Sequence, residues 1–171
     1  EALQDNTLRA QRKPVVAFVH VDLEIAASVH QPIGRENAVE IDDISGRIMK
    51  MLYPGENIII KNLQQALIKR DSLDLVIGNV PFDKVGVHDC NYAGYNLHNY
   101  FIARALDALK PGGLAILLTS NSTMDSKALV ARSNFGQRSA LLTAIRLPDN
   151  AFTDAGTEVV SDILVLQKGA A

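Results

Sequence analysis

The sequence has a single cysteine, Cys90, and no tryptophan among its 171 residues. A single cysteine excludes an internal disulfide and leaves no thiolate cluster for a metal, so we predict a protein of a reducing compartment and expect the cytoplasm. No apolar run approaches the roughly 20 residues that cross a bilayer, and residues 1–13 are polar, unlike a signal peptide. The composition therefore predicts a soluble chain with no membrane partner.

An excess of either charge is also absent. Lys and Arg together number 17, Asp and Glu together 19, and the formal net charge is −2. The chain therefore lacks the basic surface with which a domain holds a nucleic-acid backbone unaided, and we interpret the local basic clusters at residues 9–13 and at Arg132 and Arg138 as solvated faces. With 47% hydrophobic residues, residues 1–171 can bury a core without disulfides or metals, which predicts one domain.

Strand-like and helix-like segments alternate along most of the chain, which predicts an α/β fold with a mostly parallel sheet. The strand-like segments are residues 14–21, 38–41, 57–60, 75–77 and 114–119, and the helix-like segments are residues 23–30, 44–52, 63–69, 97–109 and 127–135. A Lys-Pro-Gly-Gly run at residues 110–113 is expected to end the fourth helix. Residues 141–147 and 161–167 are strand-like with no room for a crossover helix between them, which predicts an antiparallel pair.

Residues 74–82 read Asp-Leu-Val-Ile-Gly-Asn-Val-Pro-Phe, an apolar strand pattern that runs directly into an amide, a proline and an aromatic ring. The short β-branched run at residues 75–77 is typical of a central parallel strand covered on both faces. In open α/β sheets, ligands bind beyond the carboxyl ends of the strands. There Asn79 would present a side-chain carbonyl, Val80 a backbone carbonyl and Phe82 a ring face, which together suit a flat base bearing an amino group.

Five segments together carry a resemblance to a known family. They are residues 39–42 (Val-Glu-Ile-Asp), residues 74–82, residues 97–102 leading to 110–113, residues 145–148 (Ile-Arg-Leu-Pro) and residues 156–164. In these motifs the chain resembles the adenine-specific N6 DNA methyltransferases, particularly the methylase module of plasmid- and phage-borne methylase and helicase-methylase proteins. The resemblance covers residues 37–168, whereas residues 1–36 diverge. It implies a Rossmann-like S-adenosylmethionine-dependent methyltransferase fold, with a mostly parallel seven-stranded sheet and a C-terminal antiparallel hairpin.

The resemblance implies that a methyl group passes from S-adenosylmethionine to the N6 nitrogen of an adenine flipped out of DNA, at a catalytic loop of Asn79, Val80, Pro81 and Phe82. That nitrogen is a poor nucleophile because its lone pair is delocalised into the ring. Hydrogen bonds accepted by the Asn79 side chain and the Val80 carbonyl would favour a pyramidal nitrogen and aim its lone pair at the methyl group. Phe82 would stack on the extruded base, a contact worth about 1–3 kcal/mol.

The resemblance also implies a cofactor site beyond the second and third strands. Glu40, at the end of the second strand, would accept hydrogen bonds from both ribose hydroxyls. Ile41 would pack on the adenine ring of the cofactor, and Asn62 and Leu63 would line the same pocket. The alternative is that Glu40 and Asp42 only cap the following helix, where acidic residues are favourable at the positive end.

The loop after the first strand departs from the family pattern, which has a glycine-rich turn there. Residues 22–28 contain no glycine, and the next glycine is Gly34. Either Asp22 and Ser28 supply a degenerate cradle, or the glycine-rich segment lies outside this sequence, or the module does not bind cofactor well. We take Asp22, together with Asn79 of the catalytic loop, as cofactor contacts.

The sequence contains no segment that we can assign to target recognition, because the sheet uses nearly its whole length and leaves only the loop at residues 83–96. We therefore expect a larger parent polypeptide or a partner subunit to supply DNA specificity. The loop holds a His-Asp-Cys run at residues 88–90, but its spacing from His98 matches no four-ligand zinc pattern, and we predict no metal site. We expect His98 and Tyr100 to begin the following helix and to pack behind the catalytic loop.

Two alternative functions remain open. The glycine-poor first loop beside an intact Asn79 loop fits a catalytically inactive methyltransferase-like module that serves as a scaffold or nucleic-acid-binding subunit. An RNA-adenine or protein-glutamine N-methyltransferase is also possible from the residues, because both substrates present a planar NH2 group to such a loop. The matching segments outside the Asn-x-Pro-Phe tetrapeptide favour DNA adenine over these acceptors.

Overall fold

The computed structural model describes residues 15–19, 35–81, 87, 89–126, 129–153 and 159–169. Its strands are β1 (Val15–Val19), β2 (Arg35–Glu40), β3 (Asn57–Ile60), β4 (Leu73–Asn79), β5 (Leu109–Ser120), β6 (Ser139–Arg146) and β7 (Ser161–Lys168). Its helices are α1 (Asp43–Leu52), α2 (Leu97–Ala108), the short α3 (Ser122–Asp125) and α4 (Leu129–Arg138), with a single 3-10 turn at Cys90–Tyr92.

The strands form one sheet in the order β3-β2-β1-β4-β5-β7-β6. Strands β1 to β5 run parallel to one another, and β7 lies antiparallel between β5 and β6. The α/β, Rossmann-like class is therefore confirmed, as is the antiparallel pairing of the last two strands. The sheet as a whole is mixed, because β7 reverses direction beside β5.

Helix α2 covers one face of the sheet and forms the centre of the core. It begins where the Asn96 side chain accepts a hydrogen bond from the Asn99 amide at 2.8 Å, the usual way to satisfy a free N–H at a helix start. Ile102 and Leu106 are fully buried, and they belong to the same cluster of buried residues as Val76 of β4. Fully burying side chains of this size contributes about 1.5–3 kcal/mol each.

Helix α1 packs against β2 and β3, and a smaller core cluster joins it to the sheet. Met49 of α1 is buried with Ala38 and Ile58 of those strands. Gly46 brings the helix close to the sheet, because a Cβ atom at that position would lie 2.6 Å from Cγ1 of Ile60. A larger residue there would therefore push the helix away from β3.

One predicted helix does not form, and one predicted strand begins earlier than expected. Residues 63–69 are not helical. A single turn follows Asn62, whose Oδ1 accepts from the Gln64 amide at 3.0 Å, and this turn already buries Leu63 and Ala66. α2 ends at Ala108, close to the Lys-Pro-Gly-Gly run as predicted. The next strand begins earlier than the predicted residue 114, because Leu109 already adopts an extended backbone, and residues 110–113 therefore lie inside β5. The predicted helix at residues 23–30 lies outside the described residues.

A buried ion cluster at the carboxyl end of α2 corrects the expectation that Arg138 lies on a solvated face. The Asp107 side chain is 6% exposed and is bound by Arg138, by the Tyr92 hydroxyl and, at 3.0 Å, by Arg70. Two guanidinium groups and a hydroxyl supply the partners that a buried carboxylate requires. Arg132, in contrast, is exposed. None of the helices in the described ranges is long and apolar enough to span a membrane.

Candidate active site at the carboxyl edge of the sheet

Asn79 and the residues after it lie at the carboxyl end of β4, in the middle of the sheet. Asn79 is in register with Leu118 of β5, and the Val80 amide donates to the Leu118 carbonyl at 2.8 Å. Val80 is 1% exposed. The chain is therefore still held to the sheet at Asn79 and Val80, where the predicted catalytic residues begin.

A buried histidine lies at the start of α2. His98, in the first turn of that helix, is 4% exposed. Its Nε2 atom contacts the hydroxyls of Thr119 and Thr123. Burial lowers the pKa of His98 below its ordinary value, although the Pro81 carbonyl acts in the opposite direction. The ring is therefore neutral at pH 7.

Glu40 ends β2 as a buried carboxylate, 3% exposed. Its Oε1 accepts a hydrogen bond from the Asp42 amide at 2.8 Å, and the Lys61 amide donates to its backbone carbonyl at 2.8 Å. These contacts fix the turn that leaves the strand.

Asp42 has the capping role that we gave as an alternative. Its Oδ2 accepts from the Ser45 amide at 2.7 Å, and the residue is the N-cap of α1. The hydrogen bond from Ser45 holds the pKa of the Asp42 carboxyl below its usual range. The two acidic residues of the Val-Glu-Ile-Asp segment therefore differ, because Asp42 caps a helix from the exposed surface whereas Glu40 is buried at the sheet edge.

A cleft opens between β2, β3 and the start of α2. It has an empty volume of about 470 Å³, including its open mouth, and its lining is largely apolar. The lining residues are Val39, Ile41, Lys61, Asn62, Leu63, Pro81, Leu97 and Phe101. An apolar cleft with a few polar groups at its rim is the usual form of a small-molecule site.

The cleft brings together Ile41, Asn62 and Leu63, which the sequence assigned to one pocket, and adds Pro81 of the catalytic loop. Leu97 and Phe101 were missed. Both belong to the predicted helix at residues 97–109, but no pattern in the sequence indicates that the start of that helix faces the ends of β2 and β3. Asp22 and Phe82 lie outside the described residues, so their assigned roles remain predictions.

A second polar network, which sequence reasoning also missed, lies beside the histidine. Arg146, at the end of β6, binds Asp162 of β7 through Nε and Nη2 at 2.8 and 3.1 Å, and its Nη2 also binds Asp125 of α3 at 2.9 Å. These hydrogen bonds, with Asp162 first, raise the pKa of Arg146. Both Arg146 and Asp162 occur in the segments of the family resemblance, but no local pattern signals that they pair.

The loop before α2 offers no metal site within the part of it that the structure describes. The Asp89 side chain accepts from the Asn91 amide at 3.0 Å and caps the 3-10 turn, and Cys90 is exposed. His88 lies outside the described residues. No group of three or more potential ligands that could hold a metal ion occurs in the described ranges. Tyr100, in the first turn of α2, is 1% exposed and packs edge-on against Tyr92.

Comparison with known sequences gives one informative relative. No protein-family model matches the chain. The chain is 33% identical over 146 residues to the defense against restriction protein B of Escherichia phage P1, a match that covers 81% of this chain. The chain spans only 6% of the length of the phage protein. The relative is therefore a far larger polypeptide, of which this chain corresponds to a small portion.

Comparison with solved structures identifies the fold. A protein from Listeria monocytogenes, described as a class I S-adenosylmethionine-dependent methyltransferase, superimposes with a TM-score of 0.69 at 17% identity, over 94% of this chain and 56% of its own. The M protein of the type I restriction enzyme EcoKI gives a TM-score of 0.69 at 14% identity, over 94% of this chain and 41% of its own. At such identities the likeness concerns the fold alone. The chain has the fold of the S-adenosylmethionine-dependent methyltransferases.

Proposed function

We propose that the chain is the catalytic module of an S-adenosylmethionine-dependent methyltransferase that acts on the N6 nitrogen of adenine in DNA. The observation that carries the proposal is the arrangement at the sheet edge. The Asn79-Val80-Pro81 segment is anchored at the end of β4, and Pro81 also lines the apolar cleft beside the end of β2. One short segment therefore borders both a cleft for a nucleoside and a place for an amino group.

The residues around the cleft fit S-adenosylmethionine. Glu40 supplies a buried carboxylate for the ribose hydroxyls, and Ile41 and Leu63 supply apolar contact for the adenine ring. Asn62 at the rim carries an amide that can hydrogen-bond the edge of that ring. The cofactor supplies an electrophilic methyl group on a sulfonium centre. Asp22 completes the proposed cofactor site from the loop after β1.

The acceptor side of the site uses two carbonyl oxygens and a ring. The Asn79 side chain and the Val80 backbone accept the two N–H groups of the adenine amino group, which orients the nitrogen lone pair toward the methyl group. Pro81 restricts the backbone between them and the Phe82 ring, which stacks on the extruded base. Apart from accepting these hydrogen bonds, the protein forms no bond to the substrate.

DNA is the proposed partner because the phage relative is named for defense against restriction and the EcoKI neighbour belongs to a restriction enzyme. The net charge of −2 is unsuited to holding a duplex unaided. We therefore propose that a larger parent polypeptide or a partner subunit supplies the positive groove and reads the target sequence, and that the protein acts in the cytoplasm.

The test is a calorimetric titration of the protein with S-adenosylmethionine and with S-adenosylhomocysteine, followed by methyl transfer from the labelled cofactor to DNA. We expect micromolar binding of both compounds and label in N6-methyladenine after digestion of the DNA. The control is DNA of the same length in which every adenine is replaced by unsubstituted purine, which lacks the 6-amino group. Binding without label in adenine, or with label in RNA or in protein glutamine, would reject the DNA adenine assignment.

A catalytically inactive module is the second candidate, and a specific observation favours it. No glycine occurs between Pro14 and Ile33, so every residue that follows β1 before Gly34 carries a side chain where this fold class approaches the methionine part of the cofactor with bare backbone. This candidate predicts a folded protein that binds neither compound in the titration. The same experiment therefore separates the two functions.

A further inference from the structure

We propose that Asn62 reads the base of the cofactor through its side-chain N–H groups, so that it binds an acceptor nitrogen of the purine ring and not the amino group. The inference rests on the proposed function and deepens it, because Asn62 lines the cleft proposed for S-adenosylmethionine. Asn62 then determines which feature of the base the site selects, and it takes no part in methyl transfer.

Asn62 lies just beyond the end of β3, beside the end of β2. Ile60, the last residue of β3, is the register partner of Glu40, and the Lys61 amide donates to the Glu40 carbonyl at 2.8 Å. Among the described residues that line the cleft, Lys61 and Asn62 are the two with polar side chains. An ammonium group can only donate, whereas a side-chain amide can donate or accept. The orientation of the Asn62 amide therefore decides what the lining offers to a base.

The hydrogen bonds of the turn after β3 fix that orientation. The Asn62 side chain accepts from the Gln64 amide through Oδ1 at 3.0 Å, and the Asn62 backbone carbonyl accepts from the Gln65 and Ala66 amides at 2.9 and 3.1 Å. A backbone N–H can only donate, so the side-chain atom that faces Gln64 must be the oxygen. The Nδ2 group is therefore the part of the side chain that is left for a ligand.

A reversed amide is unfavourable in this turn. Nδ2 would face the N–H of Gln64, and the hydrogen bond that closes the turn would be lost. Loss of a hydrogen bond of this kind lowers the population of the reversed form about twofold to tenfold, and the meeting of two donors lowers it further. With Nδ2 directed to the ligand and Lys61 as its neighbour, the described lining offers side-chain donors to a base and no side-chain acceptor.

Adenine presents both kinds of hydrogen-bonding group. Its ring nitrogens accept hydrogen bonds, whereas its 6-amino group donates them. The N–H groups of Asn62 can pair with a ring nitrogen, but they cannot pair with the amino group. A site built to bind an N–H group strongly rejects an analogue that lacks it, because a buried acceptor is then left unpaired. The Asn62 site has no such side-chain acceptor, so it should hold the purine ring without requiring the amino group.

Two ligands and two variants test the assignment. S-adenosylhomocysteine is compared with an analogue in which unsubstituted purine replaces adenine, so that the ring nitrogens stay and the amino group is absent. Asn62→Asp keeps one oxygen for the Gln64 amide and offers a second acceptor oxygen to the ligand. Asn57→Asp introduces the same charge at the other end of β3, where the Asn57 side chain donates to that of Asn37 at 2.9 Å, and it is the matched control.

Calorimetric titration gives the ratio of the two Kd values and requires no methyl transfer. We expect the unsubstituted protein and Asn57→Asp to bind the two compounds with Kd values within about threefold of each other. In Asn62→Asp an acceptor is available to the amino group, so we expect a preference for S-adenosylhomocysteine of at least about tenfold. A preference of that size in the unsubstituted protein, or an unchanged ratio in Asn62→Asp, would overturn the assignment.

A second measurement follows the orientation of the amide without any ligand. Hydrogen exchange of the Gln64 amide reports its bond to the Asn62 side chain. We expect exchange at least about twofold faster in Asn62→Ala and nearly unchanged in Asn62→Asp, which keeps an acceptor. Equal exchange in Asn62→Ala and the unsubstituted protein would show that Oδ1 is not held, and would reject the inference.

The titration also separates this inference from the proposed function. If the unsubstituted protein binds neither compound, the proposed cofactor site is rejected and the role of Asn62 with it. If the protein binds S-adenosylhomocysteine but requires the amino group, only the role of Asn62 is rejected and the cofactor site stands.

Discussion

Arg146 and Asp162 are direct register partners across β6 and β7, and the guanidinium holds the carboxylate through Nε and Nη2 at 2.8 and 3.1 Å. The Asp162 side chain is completely buried, whereas 43% of the Arg146 side chain is exposed. Paired contacts of this geometry satisfy a buried carboxylate without removing the arginine from water. The pair joins the closing hairpin to the edge of the sheet at which the proposed site lies.

Asp162→Asn should lower the free energy of unfolding by about 1–3 kcal/mol, because the amide leaves a buried hydrogen-bond site incompletely satisfied. Asp149→Asn, an exposed carboxylate in the turn after β6, is the matched control and should change stability by less than about 0.5 kcal/mol. Denaturant titration of both variants tests the difference. Equal stabilities would show that the pair contributes nothing measurable.

Gly113→Ala should destabilise the protein by about 1–3 kcal/mol, the usual cost of inserting a methyl group into packed surroundings. A Cβ at that position would lie 2.9 Å from the Lys110 carbonyl and 3.1 Å from the Asp74 carbonyl, and backbone atoms cannot move aside as a flexible side chain can. Gly55→Ala has no atom within 4 Å of the new Cβ and serves as the control. Thermal denaturation should distinguish the two, and a Gly113→Ala protein as stable as Gly55→Ala would contradict the close approach.

Acidification should destabilise the protein through His98. Its pKa is lowered from 6.5 in the folded state, chiefly by burial, so the unfolded chain takes up the proton first and stability decreases as the pH falls below about 6.5, continuing to the folded pKa. Above that pH both states are neutral at His98 and its contribution is constant. His98→Asn removes this titration. We expect the difference in unfolding free energy between the two proteins to change with pH from 7 to 5, and an unchanged difference would mean that His98 titrates normally in the folded protein.

Glu40→Gln should weaken S-adenosylmethionine binding about tenfold to a hundredfold, because a neutral amide replaces the charged acceptor proposed for the ribose hydroxyls and hydrogen bonds to charged groups contribute about 1.5–3 kcal/mol. The glutamine carbonyl can still accept from the Asp42 amide, so the turn after β2 should persist. Asp43→Asn, an exposed residue in the first turn of α1, should bind cofactor normally. Calorimetry on both variants provides the measurement, and normal affinity in Glu40→Gln would remove Glu40 from the proposed site.

Asn79→Ala should abolish methyl transfer, a loss of at least about a hundredfold, while the cofactor Kd stays within about threefold. The reason is that the amide carbonyl is proposed to contact the acceptor nitrogen and to act mainly in the transition state. Asn150→Ala, at an exposed turn position, is the control for loss of an asparagine elsewhere. Transfer at a normal rate in Asn79→Ala would mean that another group orients the acceptor.

The sequence predicted secondary structure best where apolar residues form a clear pattern along the chain. Residues 57–60 were predicted as a strand with the bounds that the structure gives to β3. The prediction succeeded because a short β-branched run between polar residues favours a strand. The helix predicted for residues 63–69 was wrong, although Leu63, Ala66 and Leu67 have helical spacing. In the structure one turn suffices to bury the first two, whereas Leu67 is 97% exposed.

The polar networks could be predicted only in part. The position of His98 at the start of a helix was predicted correctly, but its partners Thr119 and Thr123 lie 21 and 25 residues further along the chain. The Arg146 pair depends on the register of two strands that residues 147–160 separate in the sequence. Contacts of this kind are fixed by tertiary packing, and no periodicity in the sequence reports them.

The insertion of β7 between β5 and β6 determines the order in which a growing polypeptide can complete this edge. In the described sheet β6 pairs with β7 alone. β6 therefore cannot join the sheet until β7 has been synthesised. Arg146 acquires Asp162 only at that moment. Asn79 is made some eighty residues earlier than Asp162, so a nascent chain that already contains Asn79 cannot complete the sheet before β7 has been synthesised.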